Sequence, residues 1–167
     1  MRLKALLLDF IRAIRIESAS VDYSPDTVIR RAGASTSKRA KHVLGREGEE
    51  LARSFYEKRG AIILETNFIV GGVEIDIIAQ EKGTLIFSEV KTRGSRDFDA
   101  DPADAVDAAR QARMITAACA YRRWQRLEGV PTRFDIIAIY WPKGKEPVLT
   151  PRLDAFREKG SPDQRSV

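Results

Sequence analysis

One cysteine and one histidine stand in a chain of 167 residues, and that shortage removes several chemistries at once. Cys119 alone cannot form an internal disulfide or a Cys-rich zinc site, and such thin cysteine usage fits a reducing cytoplasm. His42 alone removes most histidine-based catalysis. Proline and glycine, at 7 and 11 residues, are too few for a collagenous or wholly disordered chain. Near the start the longest apolar run is Ala5-Leu6-Leu7-Leu8, far below the ~18 residues of a membrane span, so no transmembrane segment is expected. Asp9 ends that run and cuts short any signal-peptide core. No glycine-rich phosphate loop or nucleophile elbow occurs. Any catalysis therefore falls to carboxylates and lysines.

What the chain does have is a core and an uneven charge. A hydrophobic share of 43% beside 32% charged residues describes a globular protein of one ordinary domain. Residues 1–41 hold nine Lys and Arg against four Asp and Glu, a net of +5. The 20 basic and 20 acidic residues that remain cancel, so the pI near 9.5 belongs to the N-terminal arm.

Three segments follow from the patterning: a basic N-terminal helix and linker over 1–42, a domain over 43–156, and a flexible tail over 157–167. Leu3, Leu6, Leu7, Phe10, Ile11 and Ile14 predict an amphipathic helix over Met1–Ile16, and the aperiodic polar stretch over 17–41 reads as linker. A helix begins near Val43 and stops at Gly60. β-rich runs over Ala61–Phe68 and Val73–Gln80 flank Gly71-Gly72, and a third over Thr84–Lys91 follows a hairpin-like Glu81-Lys82-Gly83. Pro102 opens a long helix carried to Gly129, and Thr132–Trp141 is a further strand. Val148–Phe156 reads as an edge strand or a short helix. The order α-β-β-β-α-β predicts an α/β fold with a mixed sheet flanked by helices.

Alternation places Glu74, Asp76 and Ile78 on one face of the second strand, and Glu89 and Lys91 on the face of the third that carries Leu85 and Phe87. A charge pair continuing an apolar stripe is costly unless something pairs with it. The hairpin brings Asp76 beside Glu89. Two carboxylates and a lysine suit a phosphodiester held by Mg²⁺ or Mn²⁺, with the lysine near the developing charge. The same spacing also fits a cross-strand salt bridge at a sheet end.

Four motifs occur in order: Gly45-Arg46-Glu47-Gly48-Glu49, Glu74-Ile75-Asp76-Ile77-Ile78-Ala79, Phe87-Ser88-Glu89-Val90-Lys91-Thr92-Arg93 and Arg133-Phe134-Asp135-Ile136-Ile137. Together, over about residues 43–156, they resemble the YraN-like family of uncharacterised bacterial proteins. That family is similar to the PD-(D/E)XK nuclease superfamily, with its restriction-endonuclease-like and Holliday-junction-resolvase-like cores. The resemblance implies Asp76 and Glu89 as metal ligands, Lys91 as the catalytic lysine and Glu49 as a further acidic group. It implies a magnesium-dependent endonuclease acting on structured or branched DNA. Gly45, Gly48 and Ala52 beside Glu49 would let the first helix lie close to the sheet. The chain departs from the family at Val73, where glycine is usual, at Ser88, where an aliphatic residue is usual, and at Arg110-Gln111, where Lys-Gln is usual.

Arg46, Arg93, Arg110 and Arg113 are the expected nucleic-acid contacts. Arg122, Arg123 and Arg126 surround Trp124 and read as a solvated helix face with Trp124 in the core, the alternative being phosphate contacts. Arg133 and Asp135 read as a structural pair, and His42 and Cys119 receive no role. Two other functions stay open: a catalytically silent nucleic-acid-binding module with the same fold, and a protein-interaction adaptor docking through the basic arm. The arm, or a homodimer, would concentrate the positive charge that the neutral body lacks.

Overall fold

The computed structural model of the chain describes residues 36–94 and 106–158. The helix expected over Met1–Ile16, most of the linker, Pro102 and the end of the tail lie outside them. Helix α1 runs over Thr36–Lys58, so it starts inside the stretch read as linker. Lys38, Arg39, Ala40 and Lys41 carry no apolar period, but their helix propensity suffices to extend a helix anchored further on. Its end is a Schellman turn. Gly60 at φ 81° donates to Glu57 O, and Ala61 donates to Tyr56 O.

Strands β1 (Ile62–Val70), β2 (Val73–Glu81) and β3 (Thr84–Arg93) form consecutive hairpins. Gly71-Gly72 and Lys82-Gly83 join them, with positive φ at all four residues. Two-residue turns of that kind match the right-handed twist of the strands. Helix α2 (Ala108–Trp124) then crosses to β4 (Thr132–Tyr140), which lies parallel to β3, and β5 (Val148–Phe156) returns antiparallel. The sheet order is β1-β2-β3-β4-β5. The fold is thus α/β, with a five-stranded mixed sheet flanked by helices, and is consistent with a restriction-endonuclease-like core. Val148–Phe156 resolves as the strand of its two readings.

The central strands are covered on both faces, which is why β3 is buried without interruption from Leu85 to Val90. On one face Ala52 and Tyr56 of α1 pack with Ile77, Ala79, Ile86, Val90, Ile137 and Ile139. On the other, Tyr121 of α2 meets Phe87 edge-on at 5.7 Å, and Met114 packs with Ile136.

Both ends of α2 differ from the expected ones. Asp107 is the N-cap, its carboxylate accepting the Arg110 N–H at 2.6 Å. At the other end Arg126, at φ 57°, takes the left-handed position that glycine was expected to supply at Gly129. Arg126 donates to Arg123 O and Leu127 to Arg122 O, which closes the helix after Trp124. Trp124 is 69% exposed, contrary to the core position expected for it; Met114, Ala117, Ala118 and Tyr121 form the buried stripe of α2, and Trp124 lies to its side. No described helix is long and apolar enough to cross a membrane.

Candidate active site

The paired register of β2 and β3 runs from Glu81↔Thr84 to Ile77↔Ser88. Ile78 opposes Phe87 on the α2 side, so alternation places Asp76 and Glu89 on that same side, just past the last pair. There the Asp76 carboxylate turns to the neighbouring main chain, accepting the Val90 N–H at 2.6 Å. Burial pushes its pKa up to about 7, with the charge of Glu89 adding to the effect. The Val90 N–H and Lys91 oppose the rise, and Glu49 adds a further upward push. A carboxyl crowded by two others in a half-dry place favours either a proton or a cation.

Glu89 is only 1% exposed and is gripped from two directions. Lys91 Nζ lies 2.5 Å from Oε1. From the first turn of α2, the Arg110 fork places Nη2 at 2.5 Å from Oε2 and Nε at 3.1 Å from both oxygens. Arg110 also donates to Glu74 O at 2.7 Å, tying α2 to β2. Expected as a nucleic-acid contact, Arg110 is thus turned inward onto the carboxylate. Arg46, Arg93 and Arg113 are exposed. The signal for Arg110 lay in topology: a helix crossing from β3 to β4 must start near the end of β3, where Glu89 sits.

Glu49 acts on Asp76 through its charge, from a helix that Gly48 lets approach β3. A Cβ built at Gly48 would stand 1.9 Å from Thr92 Oγ1, 3.0 Å from its Cβ and 3.2 Å from its Cγ2. Rotating Thr92 leaves its Cβ in place, so a larger residue must push the helix away. Gly45 shows no such contact, and the close approach rests on Gly48. Gly48→Ala should lower unfolding stability by about 1–3 kcal/mol, the usual cost of overpacking. A urea melt matching wild type would contradict the close approach.

A second polar cluster lies on the α1 side. Asp135 pairs in register with Ser88, one residue before Glu89, so it faces away from the acidic site. Its carboxylate accepts from Tyr56 Oη at 2.9 Å, from the Asp154 N–H at 2.8 Å and from Arg133 Nε at 3.0 Å. Arg133 also reaches Glu81 at 2.9 Å, and Arg59 holds Glu81 from the other side at 3.0 Å. The expected Arg133–Asp135 pair is therefore part of a larger network. Tyr56 Oη lies 3.0 Å from Ser88 Oγ, which gives the buried serine a partner.

Among the described residues no group of three or more His, Cys, Asp or Glu side chains is arranged to hold a metal together. Asp76 and Glu89 remain a two-carboxylate set of hard oxygen donors. That set fits Mg²⁺, which is commonly bound through one or two carboxylates and keeps its other positions for water and phosphate.

The chain matches, over residues 48–139, a family described as "Uncharacterised protein family UPF0102". A "UPF0102 protein" of Paenarthrobacter aurescens is 38% identical over 119 residues, covering 71% of this chain and 94% of that protein. One of Parabacteroides distasonis is 45% identical over 96 residues, 58% of this chain and 78% of that protein. One of Dictyoglomus thermophilum is 44% identical over 100 residues, 60% and 84% of the respective lengths. The matched span contains Gly48, Glu49, Asp76, Glu89, Lys91 and Arg110.

Proposed function

The chain belongs to the uncharacterised protein family UPF0102, and we propose that it is a Mg²⁺- or Mn²⁺-dependent endonuclease of the PD-(D/E)XK kind, hydrolysing phosphodiesters of structured or branched DNA. One observation carries the reading: Asp76 and Glu89 share a sheet face just past the point where the pairing of two adjacent strands ends, with Lys91 against Glu89. Asp76 and Glu89 would hold the ion. Arg110 fixes the rotamer of Glu89 while Lys91 extends from the same carboxylate toward solvent. A bound divalent ion supplies a Lewis acid for the phosphoryl oxygen and an acidified water. Lys91 then stabilises charge on the phosphorus-bound oxygens as the P–O bond breaks. Glu49 acts on Asp76 by charge and keeps that carboxyl receptive to a cation. DNA is the proposed partner, a homodimer the proposed state and the cytoplasm the proposed location.

The test is a Mg²⁺ and Mn²⁺ titration with four-way-junction, single-stranded and duplex DNA. Metal-dependent cleavage, strongest on the branched substrate and abolished by EDTA, is expected. Asp76→Asn should raise the Mn²⁺ concentration needed for half-maximal cleavage. DNA bound but uncut under every metal condition would overturn the nuclease in favour of a silent binding module. Failure to bind any DNA would leave the adaptor function.

A further inference from the structure

The outward side of α2 is charged with one sign. Its residues, Ala108–Trp124, include no Asp or Glu. Two of its arginines are committed elsewhere: Arg110 to Glu89, and Arg122 to Glu158 at 2.9 Å. Arg113 and Arg123 are exposed, and Arg126 is exposed just past the helix end. Beside them stands Trp124, 69% exposed, its ring stacked on Phe68 with centroids 6.1 Å apart and planes 20° from parallel. Phe68 is itself braced edge-on by the buried Tyr121 at 5.1 Å. The indole is thus held in place from behind while most of its surface is open to solvent. Trp124 and Phe68 form a small aromatic surface beside the exposed arginines.

Resting on the nucleic-acid reading of the acidic site, we propose that Trp124 is a stacking platform for an unpaired base, on a strand whose phosphates follow Arg123 and Arg113 along α2 toward Glu89. Aromatic rings between cations are how single strands are held without sequence preference, and a base inside a duplex has its faces already covered. The helix rise makes Trp124 roughly 21 Å from Arg110 along the axis. At about 3.4 Å per nucleotide along a stacked strand, some six nucleotides span that length. The substrate this predicts has a single-stranded flank of about that length beside the scissile bond.

The experiment measures affinity by anisotropy for a fluorescent oligodeoxythymidylate and for a blunt duplex, in EDTA so that nothing is cut, with the full chain. Trp124→Ala should weaken oligonucleotide binding by about 5- to 150-fold, the range measured for losing one stacked base, and leave the blunt duplex nearly unchanged. Trp124→Phe should restore most of the loss. Arg113→Ala with Arg123→Ala should reduce the slope of log affinity against log salt by about 1.4, or ~0.7 per phosphate contact on a single strand. Equal oligonucleotide affinity for wild type and Trp124→Ala overturns the proposal. So does a Trp124→Ala protein that binds as wild type but sediments as a smaller species, which would assign the ring to contact between copies of the chain. The two readings fail separately. Cleavage of duplex by a protein that ignores single strands would remove the platform and keep the nuclease, and Trp124-dependent binding without cleavage would do the reverse.

Discussion

Lys91→Ala is expected to lower single-turnover cleavage by roughly two to three orders of magnitude, the loss seen when one preorganised electrostatic stabiliser is removed. DNA affinity should change by only a small factor, because one cation is a minor part of a multi-phosphate interaction. The geometry separates these effects. Lys91 is 39% exposed, so its ammonium serves Glu89 on one side and meets solvent on the other, where a phosphate would arrive. Glu89 does not lose its only partner, since the Arg110 fork still holds both oxygens. The fold should therefore tolerate the change, and a thermal melt should show little loss. Arg110→Ala offers the contrast. It removes the fork from a carboxylate that is 1% exposed and also the bond to Glu74 O, so stability should fall along with cleavage. If Lys91→Ala cuts as fast as wild type, Lys91 is only a counter-ion to Glu89. If it melts far lower and no cleavage was present to lose, the Glu89–Lys91 pair is a structural salt bridge within β3 and nothing more.

Much of this site could be read from local pattern. Strand alternation put Asp76 and Glu89 on one face because β2 and β3 are regular and joined by a two-residue turn, so no bulge shifted the register between them. Glu89 and Lys91 stood out as charges on an apolar stripe, and both lie where that stripe ends. The missed features depend on tertiary packing. Arg110 and Arg113 look alike in sequence, and only the docking of α2 turns one toward Glu89 and leaves the other in solvent. Reading Arg122, Arg123 and Arg126 as a solvated face puts Trp124 in the core, and the structure does not. Trp124 is exposed because, at 100° per residue, it falls to the side of the stripe formed by Met114, Ala117, Ala118 and Tyr121 that faces the sheet. The start of α1 was hidden for a different reason, as Lys and Arg extend a helix without any apolar period to reveal it. Asp135 was visible with Arg133 two residues away, whereas Tyr56 comes from another element 79 residues earlier.

That network carries the largest expected effect on stability. Arg133 is the shared cation of two buried carboxylates, Asp135 at 3.0 Å and Glu81 at 2.9 Å, whose side chains are 0% and 5% exposed. Arg133→Ala should cost about 3–5 kcal/mol, as breaking one side of a buried pair does. Glu81 keeps Arg59, so the larger share of the loss falls on Asp135. Burial already holds the Asp135 carboxyl above its ordinary pKa, against the opposing pull of the Asp154 N–H, Arg133 and Tyr56. Without Arg133 that pKa rises further, and the folded variant retains a proton that the unfolded chain releases near pH 4. Since the folded state then binds more protons, stability falls as pH rises from about 4 toward the folded pKa. The deficit of Arg133→Ala should accordingly be smallest in acid and grow toward neutrality. Combining it with Asp135→Asn, which removes the stranded charge, should destabilise by less than the sum of the two single changes. Cleavage per folded molecule should stay near wild type, because Asp135 and Glu89 project from opposite faces of the sheet. Urea melts across that pH range, paired with single-turnover assays, measure both quantities. A variant that keeps its stability but loses cleavage would move Asp135 and Arg133 out of the scaffold and into the chemistry.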